Sequence, residues 1–420
     1  MKRISIAPRA DWAAKVEALG FDWHTASGAD GAGTDGAGAY WDESAYWQLT
    51  AAEVDILEAA TDDLHAMCTA ATGYAIERKL LPYFGFSPDM IAVVEDSWAN
   101  RKTEPSVYGR FDLAYTGGEH APKLLEYNAD TPTGLYEASV VQWTWLEERF
   151  PDHDQFNSIH EGLVAAWGKV KQQLKNSSAS DALHFTCVMP HAEDEGTLRY
   201  MLDTALEADL SGKILNAADI GWTTPEDAHP SSLDGEFVDA DNQTISTLFK
   251  ILPWDWLLAD KFGPALAHAV MHRRLNVIEP AWKAVMANKA ILAVLWEMYP
   301  NHPNLLPAFM DRRAFPKGSK VVAKPLLGRE GANISIAELG DDGAVVGGPI
   351  ESLGGAYGDE GYVYQALAPL AESTDAAGHT HRAIIGSWVI DHTSRGIGIR
   401  EDTNLITHNR SRFVPHLFTE

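Results

Sequence analysis

The sequence predicts an α+β fold assembled from two or three packed units. Three observations carry this reading. The chain has 420 residues, more than one hydrophobic core usually organises. Its first third holds a long run of apolar residues at helical spacing, and its last third alternates short β-branched runs with Gly, Asp and Asn. The units are expected at 1–105 (largely helical), 106–278 (mixed α/β) and 279–420 (β-rich).

Taken in order, ASGADGAGTDGAGA (26–39) lacks apolar periodicity and is expected as a mobile surface loop. From Thr50 to about Tyr83 the apolar spacing predicts one long amphipathic helix, opened by a capping box between Thr50 and Glu53. YGRFD (108–112) and KLLEYNAD (123–130) read as two strands around the turn TGGEHAP. Residues 134–175 read as helical, LHFTCVMPH (183–191) as a buried strand, and 192–218 as a helix leading into a short strand at KIL. PAWKAVMANKAILAVLWEMY is helical up to the break NHPNLLPAF (301–309), and SKVVAKPLLGREGANISIAEL, YVYQALAPL, HRAIIGSWVID and GIGIREDTNLITH follow as strands and turns.

Composition bounds the function. Hydrophobic residues make up 45% and charged residues 22%, with no run apolar and long enough for a bilayer. The N-terminus MKRISIAPRADWAAKVEALG has no secretory apolar run, so the cytoplasm is expected. Cys68 and Cys187 stand apart and are expected as core thiols. The balance of 33 basic against 59 acidic residues, formally −26, argues against a nucleic-acid partner and is compatible with a cationic small molecule.

The hairpin carries the chemistry. With its turn centred on Glu119, Asp112 opposes Glu126 and Arg110 opposes Asn128. Two carboxylates and an amide oxygen suit a hard magnesium ion, and the guanidinium suits a phosphate or carboxylate. An ordinary solvated hairpin face is the competing reading on residue type alone. Lys324, in a β-branched strand before the Gly-punctuated loop of VVAKPLLGREG, is placed as a lysine above nucleotide phosphates would be. Lys289 in the helix-like ANKAIL is a second phosphate contact or a surface lysine, and Arg400 is a candidate to stabilise a transferring phosphoryl group. The histidines, including HTH (379–381) and Asp391–His392, form no HExxH, and zinc is not expected. The tryptophans, PWDW (253–256) among them, are expected mainly in the core, and WDES (41–44) is a candidate lining for an amine pocket.

YGRFD, EYNAD, NKAIL…LWE…NHPNLLPA, AKPLLGREGANIS, YVYQAL and IREDTNLIT together resemble the ATP-grasp synthetase portion of the glutathionylspermidine synthase family, from about Trp41 to Val414. The resemblance implies an ATP-grasp fold behind a substrate domain, with 279–420 as the lid and nucleotide-binding unit. It implies ATP and magnesium as cofactors, with Asp112, Glu126 and Asn128 as metal ligands and Arg110 touching both the transferring phosphate and the carboxylate substrate. Lys289, Lys324, Gly331, Gln365, Ala366, Leu367, Leu405, Ile406 and Thr407 match positions that line ATP. Arg329 and Arg400 match arginines at the phosphoryl-transfer centre, and Thr131 falls where the family has a serine on the thiol-peptide substrate.

Two departures bear on substrate. The residues before YWDESAYW (40–47) contain no cysteine, so the amidase activity of the bifunctional members is not expected, and TPTG (131–134) departs from the family's small-hydroxyl run. The expected function is an ATP-dependent carboxylate–amine ligase working through an acyl phosphate on small-molecule acids and amines, with a polyamine or an amino acid as acceptor. A non-catalytic ATP-binding protein and a peptide or amino-acid ligase stand as alternatives.

Overall fold

The computed structural model of the chain describes residues 1–25, 40–176, 182–224, 233–408 and 411–420. The loop expected at 26–39 lies outside the described residues. The first part of the chain runs β1 (Lys2–Ser5), α1 (Trp12–Ala18), β2 (Ala45–Thr50), α2 (Ala51–Glu77), α3 (Pro88–Asn100), β3 (Tyr108–Ala114) and β4 (Lys123–Asn128). A π-helical turn (Glu137–Val141) leads into α4 (Gln142–Arg149), then α5 (Ile159–Asn176), β5 (Ala182–Cys187), α6 (Ala192–Glu207), β6 (Ser211–Asn216), β7 (Gly221–Thr223), β8 (Glu236–Val238), β9 (Thr247–Lys250), α7 (Trp254–Ala259), α8 (Gly263–Met271) and β10 (Asn276–Ile278). The last part is α9 (Lys283–Ala287), α10 (Ile291–Met298), β11 (Ala308–Phe309), β12 (Lys320–Pro325), β13 (Ser335–Leu339), β14 (Val345–Ser352), β15 (Tyr362–Ala366), β16 (Ala371–Thr374), β17 (Thr380–Ile390), β18 (Thr393–Asp402), β19 (Arg412–Val414) and β20 (His416–Thr419).

The architecture is mixed α and β with several sheets. The sheet that carries the hairpin has the order β19-β18-β17-β3-β4, with β16 on β17, so strands from the end of the chain flank a strand from its first third. Strands β10, β9, β5 and β6 form a parallel sheet, and α6 crosses over between β5 and β6. An antiparallel sheet of order β11-β15-β12-β13-β14 gathers further strands of the last third of the chain. Finally β1 pairs β2, and β2 pairs β20 in parallel. The fully buried Glu401 reinforces that closure by accepting hydrogen bonds from Arg3, Trp47 and Arg412. Among the described residues no helix is long and apolar enough to cross a membrane.

The capping box at Thr50 forms in both directions, with Thr50 Oγ1 accepting from the Glu53 amide at 3.2 Å and Glu53 accepting from the Thr50 amide at 2.9 Å. Helix α2 stops at Glu77, short of Tyr83, because Lys79 turns into the left-handed region (φ 57°) and Pro82 follows. The helical stretch expected over 134–175 is divided at Phe150 and Pro151, which lie between α4 and α5. The segment around Leu405 is a loop where a strand was expected: the Leu405 and Ile406 amides donate to the Glu351 carboxylate, at 3.0 and 2.9 Å, instead of to a neighbouring strand. Cys68 and Cys187 are both buried free thiols. Six tryptophans, Trp41, Trp47, Trp145, Trp167, Trp254 and Trp388, are fully buried, whereas Trp256 of PWDW is half exposed.

Candidate active site

Strands β3 and β4 pair as their spacing predicts, with Arg110 opposite Asn128 and Asp112 opposite Glu126; the register slips by one residue only beyond Asp112. On its other edge β3 pairs β17, placing Trp388 beside Arg110 and Gly386 beside Asp112. Two parallel rows therefore cross the sheet on one face, Trp388–Arg110–Asn128 and Gly386–Asp112–Glu126. Gly386 leaves the room Arg110 needs: a Cβ there would stand 3.0 Å from Arg110 Cδ. The intervening Phe111 and Tyr127 face the core on the opposite side and stack with ring centres 3.7 Å apart.

This face forms the floor of a cleft of about 420 Å³. Arg110 donates to both Asp112 oxygens, at 2.7 and 3.2 Å, and to the Thr133 carbonyl. Burial opposes its charge, but Asp112 and Glu126 raise its pKa overall. Burial, reinforced by Glu126, raises the Asp112 carboxyl although Arg110 pulls the other way. Glu126 behaves oppositely: against the cost of burial, Lys289 and Lys324 hold it down to about 2. Lys289 Nζ lies 3.0 Å from Glu126 and donates to the Gly328 carbonyl at 2.6 Å. Asn128 Nδ2 donates to Glu126 at 3.2 Å.

Lys289 does not sit within a helix; it occupies the break between α9 and α10, where its amide bonds the Leu326 carbonyl and its side chain turns to the loop after β12. Lys324 lies beneath the floor, donating to the Leu125 carbonyl and to Gln365 Oε1 at 2.7 and 2.8 Å. Burial lowers it to about 8. Arg329 closes one wall. Its guanidinium grips Asp255 at 2.7 and 3.4 Å and lies 5.5 Å from the Trp256 ring. Arg400, on β18, donates to the carbonyls of Ser411 and His408 and lies 5.2 Å from the ring of Tyr40.

Of the positions singled out in the sequence, Arg110, Asp112, Glu126, Asn128, Thr131, Lys289, Arg329, Gly331, Arg400 and Thr407 line this one cleft. Lys324 and Gln365 are buried just below it and bonded to each other. Ala366, Leu367, Leu405 and Ile406 are not among its lining residues, although Ile406 and Thr407 pack on Gly331. WDES does not line it either: Glu43 is buried against Arg9 and Asp42 pairs Arg412.

The sequence reading missed the other wall. Tyr40, Asp130, His191, Glu193, Asp194 and Asp255 all reach the cleft. Asp130 accepts from the buried Lys250 and from the Trp254 amide at 3.1 Å, pinning the start of α7 to the hairpin. The run of acids opening α6 after Pro190 was the available signal, since a helix N-terminus tolerates them but does not require three.

The donor set suits magnesium. Among the described residues no group of three or more His, Cys, Asp and Glu side chains is arranged to hold a metal, but Asp112, Glu126 and the Asn128 amide supply three hard oxygen donors. Two carboxylates facing each other across paired strands repel, and Glu126 adds to burial in raising Asp112.

Comparison with known proteins places the whole chain. The model of the family described as glutathionylspermidine synthase preATP-grasp matches residues 3–419. A Haemophilus influenzae protein named for a proposed acid–amine ligase activity is 39% identical over 425 residues, covering 100% of both chains. The trypanothione synthetase of Crithidia fasciculata is 28% identical over 84% of this chain, and the bifunctional glutathionylspermidine synthetase/amidase of Escherichia coli is 24% identical over 77%. The chain spans about half the length of these two, 53% and 52%. A solved glutathione synthetase-like effector from Globodera pallida shares the fold at 9% identity, with TM-score 0.54 over 89% of each chain.

Proposed function

Since the chain belongs to the glutathionylspermidine synthase family, we propose that it is an ATP- and magnesium-dependent carboxylate–amine ligase built on an ATP-grasp scaffold with a preceding substrate domain. One observation carries the reading: three guanidinium groups, Arg110, Arg329 and Arg400, and Lys289 converge with the paired carboxylates Asp112 and Glu126 on a single cleft. Cations arranged around opposed acids suit the transfer of a phosphoryl group between two anions.

In this reading Asp112, Glu126 and the Asn128 amide oxygen hold magnesium, which when bound supplies positive charge to the phosphate oxygens. Lys289 exchanges Glu126 for phosphate, and Lys324 adds its charge from below. Gly331 and Thr407, with the segments 365–367 and 405–407 behind them, frame the nucleotide. Arg110 orients the substrate carboxylate against the γ-phosphoryl group, while Arg329 and Arg400 neutralise the charge that develops between them. Attack of an amine on the resulting acyl phosphate gives the amide, with ADP and phosphate released over the cycle. Thr131 lies where the carboxylate donor enters. The acidic wall of Glu193, Asp194 and Asp255 suits a cationic amine such as a polyamine or amino acid.

A screen of ADP release over pools of carboxylates and amines tests this. Turnover is expected to require one of each, and to fall in Asp112→Ala and Arg110→Ala. Wild-type turnover in both variants would overturn the site assignment.

A further inference from the structure

We propose that Glu137, acting through the Tyr40 hydroxyl, receives the proton that an amine acceptor must lose before it attacks the activated carboxylate. The inference rests on the ligase reading and adds to it a proton acceptor: the arginines and lysines of the cleft carry protons and accept none at neutral pH, and in that reading the wall acids Glu193 and Asp194 hold the cationic amine.

Glu137 opens the π-helical turn and its side chain is fully buried. Oε1 accepts from the Tyr40 hydroxyl at 2.9 Å and from the Trp23 indole at 3.0 Å. Oε2, equally buried, has no hydrogen-bond partner among the described residues. A carboxylate so placed is costly, and among the described residues no cation forms an ion pair with it to offset the cost. Tyr40 connects this acid to the cleft, which it lines beneath Arg400.

The charged groups acting on the pair come from two elements. Glu193 of α6 repels Glu137, and Arg400 of β18 attracts negative charge on Tyr40. Trp23 and Tyr40 supply hydrogen bonds, and Tyr136 adjoins Glu137 in the chain. Burial first, then Glu193, push the Glu137 carboxyl up to about 7, where an acid is half ionised at neutral pH and best placed to exchange protons.

The step balances. The ammonium passes a proton to the Tyr40 oxygen as Tyr40 gives its own to Glu137 Oε1, leaving a neutral amine, an unchanged tyrosine and a protonated Glu137. The amine lone pair forms the C–N bond, and the acyl C–O bond breaks with its electron pair leaving on phosphate. The second N–H proton leaves with phosphate or to water, and Glu137 later returns its proton to solvent.

The test uses the full chain with Mg-ATP and a fixed set of carboxylates (glutathione, free amino acids, small dicarboxylic acids). Each is offered with spermidine, glycine or hydroxylamine, the last a weak base that is largely neutral at pH 7 and needs no proton acceptor. Glu137→Gln and Tyr40→Phe, which keeps the ring under Arg400, are expected to slow amide formation about a hundredfold and to leave hydroxamate formation within about twofold of wild type. The rise of wild-type amide formation with pH through about 7 is expected to vanish in Glu137→Gln. Equal loss of amide and hydroxamate, or equal retention, overturns the proposal while the ligase reading stands. So does a wild type that forms hydroxamates but couples neither amine. A wild type that forms no hydroxamate and releases no ADP with any acid overturns the ligase reading itself.

Discussion

Asp112 on β3 and Glu126 on β4 are directly paired, yet each carboxylate is neutralised from a different direction, Asp112 by Arg110 at 2.7 Å and Glu126 by Lys289 at 3.0 Å. The neutralisation is uneven. Glu126 is held down and Asp112 is raised, so the ionised Asp112 is the less comfortable of the two in the folded chain. Asp112→Asn relieves the repulsion with Glu126 but takes a carboxylate from Arg110, so stability in magnesium-free buffer is expected to change by no more than about 1 kcal/mol in either direction. The variant is also expected to lose the gain in unfolding temperature that magnesium with ATP gives wild type. Thermal unfolding with and without Mg-ATP measures both. A gain from Mg-ATP as large as that of wild type would mean that Asp112 holds no metal, and a large drop in the metal-free temperature would mean that its bond to Arg110 outweighs the repulsion from Glu126.

Arg110 bonds both oxygens of Asp112 and the Thr133 carbonyl at once. A lysine reproduces the charge without the fork. Arg110→Lys is expected to lower kcat about a hundredfold with the fold intact by circular dichroism. Activity near wild type would reduce Arg110 to a simple source of positive charge.

Arg329 spends its guanidinium on Asp255 in this structure. A phosphate that engages Arg329 must first displace that carboxylate. Asp255→Asn is expected to tighten Mg-ATP binding about tenfold, corresponding to one charged hydrogen bond no longer exchanged. Calorimetric titration gives the number, and weaker binding would show instead that Asp255 holds Arg329 in its working position.

Gly331 has φ of +74°, and a Cβ there would stand 2.5 Å from the Thr407 carbonyl oxygen. Gly331→Ala is expected to cost about 1–3 kcal/mol in denaturant unfolding. It is also expected to raise KM for ATP by parting the loop after β12 from 405–407. An unaltered unfolding midpoint would mean that the loop yields at no cost.

Lys324 titrates near 8 in the fold, chiefly because burial disfavours its charge, against an ordinary value of 10.5. Between those values the unfolded chain binds more protons than the folded one, so this group's contribution to stability rises with pH across the window. Wild type should gain on Lys324→Met from pH 8 to 10.5, as followed by urea unfolding at several pH values. A constant difference would place Lys324 in a more solvated setting than β12 provides.

Much of the fold and site was legible in the sequence, for reasons that are local. A strand's period of two and a short turn fix which residues oppose, so the pairings of Arg110 with Asn128 and of Asp112 with Glu126 follow from spacing alone. The capping box at Thr50 is likewise decided within four residues. At Leu405 and at Lys289 the expected element was lost to distant partners, whereas the early end of α2 and the division after α4 have local causes at Lys79, Pro82 and Pro151. Glu351 captures the amides of Leu405 and Ile406, and the loop after β12 draws Lys289 out of its helical pattern.

The sequence by itself determined the mixture of α and β elements, the hairpin, its register and the family, because each rests on contacts between near neighbours or on motifs kept in order. Only the tertiary structure decided that β3 lies between β4 and β17, that Arg329 meets Asp255 across 74 positions of the chain, and that Tyr40 joins the buried Glu137 to the cleft. Those relations depend on the packing of segments far apart in the chain. Their energies are set by burial and by the charges that burial brings together, and no local pattern of residues records either.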